Sequence, residues 1–147
     1  MAYRIARVND RDTMEQVEDL LRQEGIQKDA NLDYTCAMLD EDYRVIATGS
    51  CFGNTLRCFA IRRDHQGEGL LNEIVSHLIQ FQFERGNFHL FLYTKRQSAG
   101  FFHDLGFHEI ARVEDRVVFM ENRRAGFQSY LKALAEKASP VNKRRRW

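Results

Sequence analysis

Cysteine is scarce in this sequence and lacks a pairing pattern. Cys36, Cys51 and Cys58 are odd in number and widely spaced, with no CxxC and no histidine at ligand spacing. That usage excludes a disulfide framework and a thiolate zinc site, and it fits a reducing compartment. Long apolar runs are lacking as well. No stretch approaches the roughly 20 residues a membrane helix needs. The opening "MAYRIARVNDRD" places charges where a signal peptide needs an apolar core. The protein is therefore expected to be cytoplasmic, with no membrane partner. The five histidines, His65, His77, His89, His103 and His108, show no i, i+4 pairing around a glutamate, so no metal site is expected. Neither an internal repeat nor a low-complexity segment precedes the C-terminal tail.

What is present suits a soluble globular fold. The 147 residues, 44% hydrophobic and 29% charged, are enough for one domain with a single core. A formal net charge of +1 conceals an asymmetry: five of the 22 basic residues follow Glu136 and no acid does, which leaves 17 against 21 over residues 1–136. The body is mildly acidic and the basic character is a tail. Four cations at residues 143–146 without a neighbouring stacking platform read as a solvated end, so no nucleic-acid partner is expected.

Strand and helix periods alternate along the chain. "YRIARV" alternates as a strand does. "DRDTMEQVEDLLRQEG" follows as a helix, with Met14, Val17, Leu20 and Leu21 on one stripe and Gly25 as its stop. "DYTCAML" and "YRVIATGSC", joined by Asp40-Glu41-Asp42, read as a hairpin, and "TLRCFAI" as a third strand. From Gly69 to Arg85, Leu70, Leu71, Ile74, Val75, Leu78 and Ile79 recur at helical spacing, and Gly86 ends the run. Then come the strand "FHLFLYT", a short helix "SAGFFHDL" closed by Gly106, and strands around "FHEIARV" and "RVVFM". A last amphipathic segment carries Phe127, Tyr130, Leu131 and Leu134 on one face, before Pro140. Phe81, Phe83, Phe88 and Phe91 are expected to be packing residues. This order predicts an α/β protein with a mixed, mostly antiparallel sheet.

The chemistry concentrates in "DHQGEGLLNE". A strand that ends in a glycine loop and turns into a helix leaves the first helical N–H groups unpaired, which is an anion site. Glycine there lets a phosphate approach the backbone. A ligand-free tight turn is the alternative reading of two glycines alone. Arg62 and Arg63 flank the loop as phosphate partners or as surface charge. Glu68 and Glu73 read as solvated or capping. Cys58 is expected to be a buried strand thiol rather than a nucleophile.

The order from "TLRCFAI" through "QGEGLLNEIVSHLI" to "FHLFLYT" and "FFHDLGF" resembles the GNAT acyltransferase family over most of the chain. The resemblance implies the GNAT fold, with a central mixed, mostly antiparallel sheet flanked by helices. In the family's pyrophosphate motif Gln66 fills the first place and Gly69 the fourth, with Gly67, Glu68 and Leu70 at variable places. Leu71 departs from the small residue usual in the last place. "SAGFFHDLGF" matches the family's short helix beside the pantetheine arm. The implied site for acetyl-CoA or a CoA-like phosphopantetheine group takes Phe59, Ala60 and Ile61 from the strand. Gln66, Gly67, Glu68, Gly69, Leu70 and Leu71 come from the loop, and Ser98 and Phe102 from the short helix. Many members use a tyrosine as general acid where this chain has Phe102, and a base from the strand before the loop. "NTLRCFAI" holds no acid, so no catalytic residue is assigned.

The runs "LRCFAIRRDHQGEGL", "HLFLYTK", "FFHDLGF" and above all "MENRRAGFQSYLKAL" look like the N-terminal GNAT-like domain of citrate lyase ligases. That family joins acetate to the prosthetic-group thiol of the citrate lyase acyl carrier protein at the expense of ATP. "ENRRAGF", residues 121–127, is the most specific piece. By this resemblance residues 1–136 are the GNAT-like domain. Residues 137–147 are a basic tail at the point where a nucleotidyltransferase domain would follow, and ATP is implied only with that second domain. The acyl carrier protein is the implied partner. A free-standing acetyl-CoA-dependent acetyltransferase and a non-catalytic module that binds CoA or a pantetheine-bearing carrier stay open.

Overall fold

In a computed structural model, residues 3–122 are described, with Ala135 beyond them. The proposed amphipathic segment at 127–134, residues 123–127 of "ENRRAGF" and the basic tail lie outside the described residues. The chain divides into two compact units, Met1–Phe88 and His89–Trp147.

The first unit holds β1 (Arg4–Arg7), α1 (Arg11–Gln23), β2 (Tyr34–Leu39), β3 (Val45–Phe52), β4 (Thr55–Ile61) and α2 (Leu70–Glu84). Its strands pair antiparallel in chain order. Asp10 caps α1, its carboxylate accepting from the Thr13 N–H at 2.9 Å, and this hydrogen bond holds the carboxyl below its ordinary pKa. The expected stripe is the buried one: Val17, Leu20 and Leu21 pack with Val8, Ala37, Val45 and Ala60, and Met14 lies against them. The other face of the sheet meets α2, whose Ile74, Val75 and Leu78 are fully buried. With a helix on each side, β2 and β3 are buried almost throughout, which explains why their sequences read as continuous apolar runs rather than alternations. The expected hairpin turn is closed by Asp40, whose Oδ1 accepts from the N–H groups of Asp42 and Arg44 at 2.9 Å each.

At the far end of α2, Gln82 is fully buried. It donates to the Gly53 carbonyl at 2.7 Å and accepts from Asn87 at 2.9 Å, so the helix C-terminus is tied to the β3–β4 turn. Two of the four expected packing phenylalanines are corrected by the structure. Phe83 is 42% and Phe88 56% exposed, and their rings lie 5.3 Å apart, covering each other. Phe83 stands one turn beyond Ile79 on the outward side of α2, and Phe88 follows the helix stop. Phe81 does pack, stacked 3.8 Å from Tyr34, and Phe91 is buried.

The second unit holds β5 (Phe91–Lys95), α3 (Ala99–Asp104), β6 (His108–Val113) and β7 (Val117–Glu121). Its ladder runs β5-β7-β6, both pairings antiparallel. Leu92, Val118 and Met120 point to one side and are buried, as are Phe102 and Phe107. Residues 114 and 115 turn the β6–β7 hairpin with φ of 52° and 57°, a left-handed pair usually given to Asn or Gly. Arg112 bridges this turn to Glu109 and Asp115, and Arg96 adds a second bridge to Asp115 at 2.8 Å. Every ladder within the two units is antiparallel, in keeping with the mixed, mostly antiparallel sheet that the sequence order predicts.

Candidate ligand-binding loop and its surroundings

The β4 strand ends at Ile61, and the next residue is held by the Arg62 N–H donating to the Ile46 carbonyl at 2.8 Å. A single 3₁₀ turn over Arg63–His65 follows. Gln66 is extended, and its amide donates to the Ile61 carbonyl at 3.2 Å, so the loop is folded back on the strand that delivers it. Gly67 and Gly69 have φ of 87° and 79°, and Gly69 is the N-cap of α2, with no side chain capping the helix. A Cβ at either glycine would meet nothing within 4 Å. The requirement for glycine is therefore its left-handed backbone, which a side chain resists, and the space beside it is open. The first N–H groups of α2 have no helical acceptor. Open space, uncapped donors and the positive end of a 15-residue helix fit a phosphate group. Leu70 is buried beneath the helix start. Leu71, in the place usually taken by a small residue, is half-buried.

The charged side chains of the loop are already engaged. Arg62 pairs with Asp64 at 2.8 Å and Arg63 with Glu24 at 3.4 Å. Glu68 accepts from the Tyr3 hydroxyl at 3.1 Å and meets His65 Nδ1 at 3.2 Å. The Tyr3 and His65 rings pack edge to face, 5.8 Å between centroids. Partial burial and the Glu68 carboxylate raise the Tyr3 phenol above its ordinary pKa, which keeps it a donor. Glu73 lies exposed in the first turn of α2, where its charge complements the helix.

Upstream, β4 departs from regular pairing. Thr48 faces Ala60 and Ser50 faces Arg57, so Gly49 stands opposite two residues, Cys58 and Phe59. Cys58 takes a φ of 57° in this bulge. The expectation of a buried strand thiol is corrected: Cys58 is half-buried, its sulfur turned toward the segment after α1, 3.6 Å from Asp29 Oδ2 and 4.0 Å from the Gln27 carbonyl. Burial pushes its pKa up, the opposite of an activated thiolate. Cys36 and Cys51 are buried and pushed to about 12. Asp29 also receives the Arg57 guanidinium at 2.8 Å. The carboxylate missing from β4 is thus supplied beside it by a residue 29 positions from Cys58, which the strand's own sequence gave no means of finding. Phe59 and Ile61 are half-buried and Ala60 is buried.

In the second unit Ser98 ends a 3₁₀ turn and leads into α3 without capping it through its side chain. Phe102, expected from the resemblance at the place of a tyrosine, is 1% exposed and packs edge-on against Phe101 and Phe107. His89 Nε2 lies 2.6 Å from Oε1 of the buried Glu121, a partly buried hydrogen bond. Among the described residues no group of three or more His, Cys, Asp or Glu side chains is placed to hold a metal. No helix among them is long and apolar enough to cross a membrane.

No protein-family model matches the chain. It is 33% identical over 140 residues to the [citrate [pro-3S]-lyase] ligase of Klebsiella pneumoniae, covering 95% of this chain and 41% of that one. The ligase of the same name from Escherichia coli K12 is 30% identical over 130 residues, 88% of this chain and 37% of its own length. The chain thus spans about two fifths or less of the curated relatives it matches. Among solved structures, Escherichia coli ElaA superposes with a TM-score of 0.70 at 9% identity, covering 83% of this chain and 99% of that one. A GNAT-family acetyltransferase from Staphylococcus aureus MU50 gives 0.67 at 12%, over 83% and 100%. The ribosomal-protein-S18-alanine N-acetyltransferase of Escherichia coli gives 0.64 at 15%, over 82% and 92%. At these identities the structural likeness shows the fold.

Proposed function

Because the chain has the GNAT acyltransferase fold and its curated relatives are citrate lyase ligases over 76–95% of its length, we propose that it is the N-terminal, GNAT-like part of such a ligase. In this reading it acts in the ATP-dependent acetylation of the prosthetic-group thiol on the citrate lyase acyl carrier protein, in the cytoplasm. Residues 1–136 form the domain, and a nucleotidyltransferase domain, which the relatives' greater length can accommodate, handles ATP.

The loop carries the reading. Gly67 and Gly69 turn the chain so that the free N–H groups of α2 face open space. The pyrophosphate of a CoA-type ligand accepts from them, Gln66 holds the loop against β4, and Phe59, Ala60 and Ile61 lie on the strand that leads into it. For Ser98 and Phe102 the proposal rests on the resemblance, since the Phe102 ring is spent on packing. A thiol acceptor suits this set of residues. Its pKa near 8.5 demands less of a base than an ammonium near 10.4, and β4 itself carries no acid, while the nearby Asp29 is held in an ion pair with Arg57. Delivery of the pantetheine arm to a separate catalytic domain is favoured as a second reading by one observation: Phe102 has no proton to donate and is fully buried.

CoA or acetyl-CoA should raise the melting temperature of the chain by mass action. Gly69→Asp, which puts a side chain at φ 79° and a negative charge at the helix start, should abolish the rise. No shift with any pantetheine compound refutes the phosphate-loop reading. Acetyl transfer from acetyl-CoA to a carrier thiol without ATP would support the free-standing acetyltransferase instead.

A further inference from the structure

Glu68 poses an electrostatic problem that the loop has to solve. It lies between the two left-handed glycines, one residue before the N-cap of α2, so its carboxylate competes for the ground that the proposed ligand's phosphates occupy. The structure turns that carboxylate toward Tyr3 and His65. Tyr3 Oη donates to Glu68 Oε1 at 3.1 Å, His65 Nδ1 lies 3.2 Å from the same oxygen, and Tyr3 and His65 touch at 3.4 Å. Tyr3 is 65 positions away and stands just ahead of β1, so this contact fastens the loop to another part of the unit. The edge-to-face packing fixes the orientation of both rings. The arginines of the loop are not available to do the same, because Arg62 and Arg63 are committed to Asp64 and Glu24.

We propose that Tyr3 and His65 form a brace that draws the Glu68 carboxylate off the phosphate-facing side of the loop, making Tyr3 a positioning residue that sets the affinity for a diphosphate-bearing ligand. The inference rests on the phosphate-loop reading above. Without the Tyr3 hydroxyl, Glu68 loses the donor that reaches it from outside the loop, and the loop samples conformations in which like charges meet. The penalty for a carboxylate several ångströms from a diphosphate in a partly solvated site corresponds to a roughly three- to tenfold weaker affinity.

Titration calorimetry of the 147-residue chain tests this with CoA and, as the probe lacking the diphosphate, pantetheine. Tyr3→Phe keeps the ring against His65 and removes one oxygen. It should weaken CoA three- to tenfold and leave pantetheine unchanged. The double variant Tyr3→Phe/Glu68→Gln should recover wild-type CoA affinity or exceed it, because the charge that needed restraint is gone. A purely structural role for Tyr3 gives no such rescue. Wild-type affinity in Tyr3→Phe, or a loss that the double variant keeps, overturns the brace while the loop reading stands. A wild-type chain that binds no CoA overturns the loop reading and the brace with it.

Discussion

Gly49→Ala isolates the packing on which the bulge and α2 depend. Gly49 has no left-handed φ, so alanine costs nothing in backbone strain there. Removing strand glycine's extra freedom even favours the variant by about 0.5–1 kcal/mol. Sterics oppose it. A Cβ at this position would stand 2.6 Å from Ile74 Cγ2, 2.9 Å from Leu78 Cδ1 and 3.1 Å from Phe59 Cδ1. Ile74 and Leu78 are fully buried, so neither can swing into solvent, and relief requires moving α2 away from β3 or displacing Phe59 in the bulge. Overpacking of this kind costs about 1–3 kcal/mol, and a 2.6 Å approach to a fully buried side chain falls in the upper part of that range, beyond the entropic gain. For a chain of this size, a net loss of 1–2 kcal/mol lowers the melting temperature by roughly 3–8 °C. Circular dichroism melts give the readout, with Gly100→Ala as control: that glycine lies in α3, its Cβ would meet nothing within 4 Å, and alanine favours a helix. The reasoning fails if Gly49→Ala melts within about 1 °C of wild type, or if both variants lose stability alike.

Two further tests address titratable groups. Native protein at about pH 8 should present one thiol to a soluble alkylating or disulfide reagent, Cys58, and three once denatured, because Cys36 and Cys51 are buried with pKa values of about 12. Rapid reaction of two or three thiols in the native state would show that β2 and β3 open readily. His77, whose Nε2 meets the Tyr34 hydroxyl at 2.7 Å, has its pKa lowered by burial. Between the ordinary value near 6.5 and the lower folded one, the unfolded chain binds a proton that the folded chain refuses, so stability is full above that window and falls as pH drops through it. His77→Gln should therefore flatten the decline in melting temperature between about pH 7 and 5; an unchanged slope assigns the decline to other groups.

The elements were legible because local chemistry and burial agree. The stripe of α1, the turn at residues 40–42 and Gly86 as a helix stop all sit where their periods and turn residues place them. The misreadings arise where the neighbour is distant in sequence. Phe83 and Phe88 carry the same spacing as core aromatics, and only the direction in which α2 presents its surface decides that they stay outside. The bulge in β4 is invisible in "TLRCFAI" because its cause lies on β3: Gly49 opposes two residues, and Cys58 takes a left-handed φ that nothing in its own identity favours. The β6–β7 turn likewise uses Glu114 and Asp115 in left-handed conformations, with arginines bridging Asp115, rather than the glycine that would have signalled it.

The same distinction runs through the loop. Its glycines are local signals, and the structure gives them a local reason in φ values of 87° and 79°. The disposition of its charge is set from elsewhere. Glu68 reads in the sequence as solvated or capping; the structure engages it with Tyr3 across 65 positions, and in the proposed reading that contact keeps its charge from a bound phosphate. Asp29 brings an acid to β4 across 29 positions in the same way. Motif spacing therefore locates the loop. What the loop tolerates, and which charges act near it, is decided by side chains that the motif does not contain.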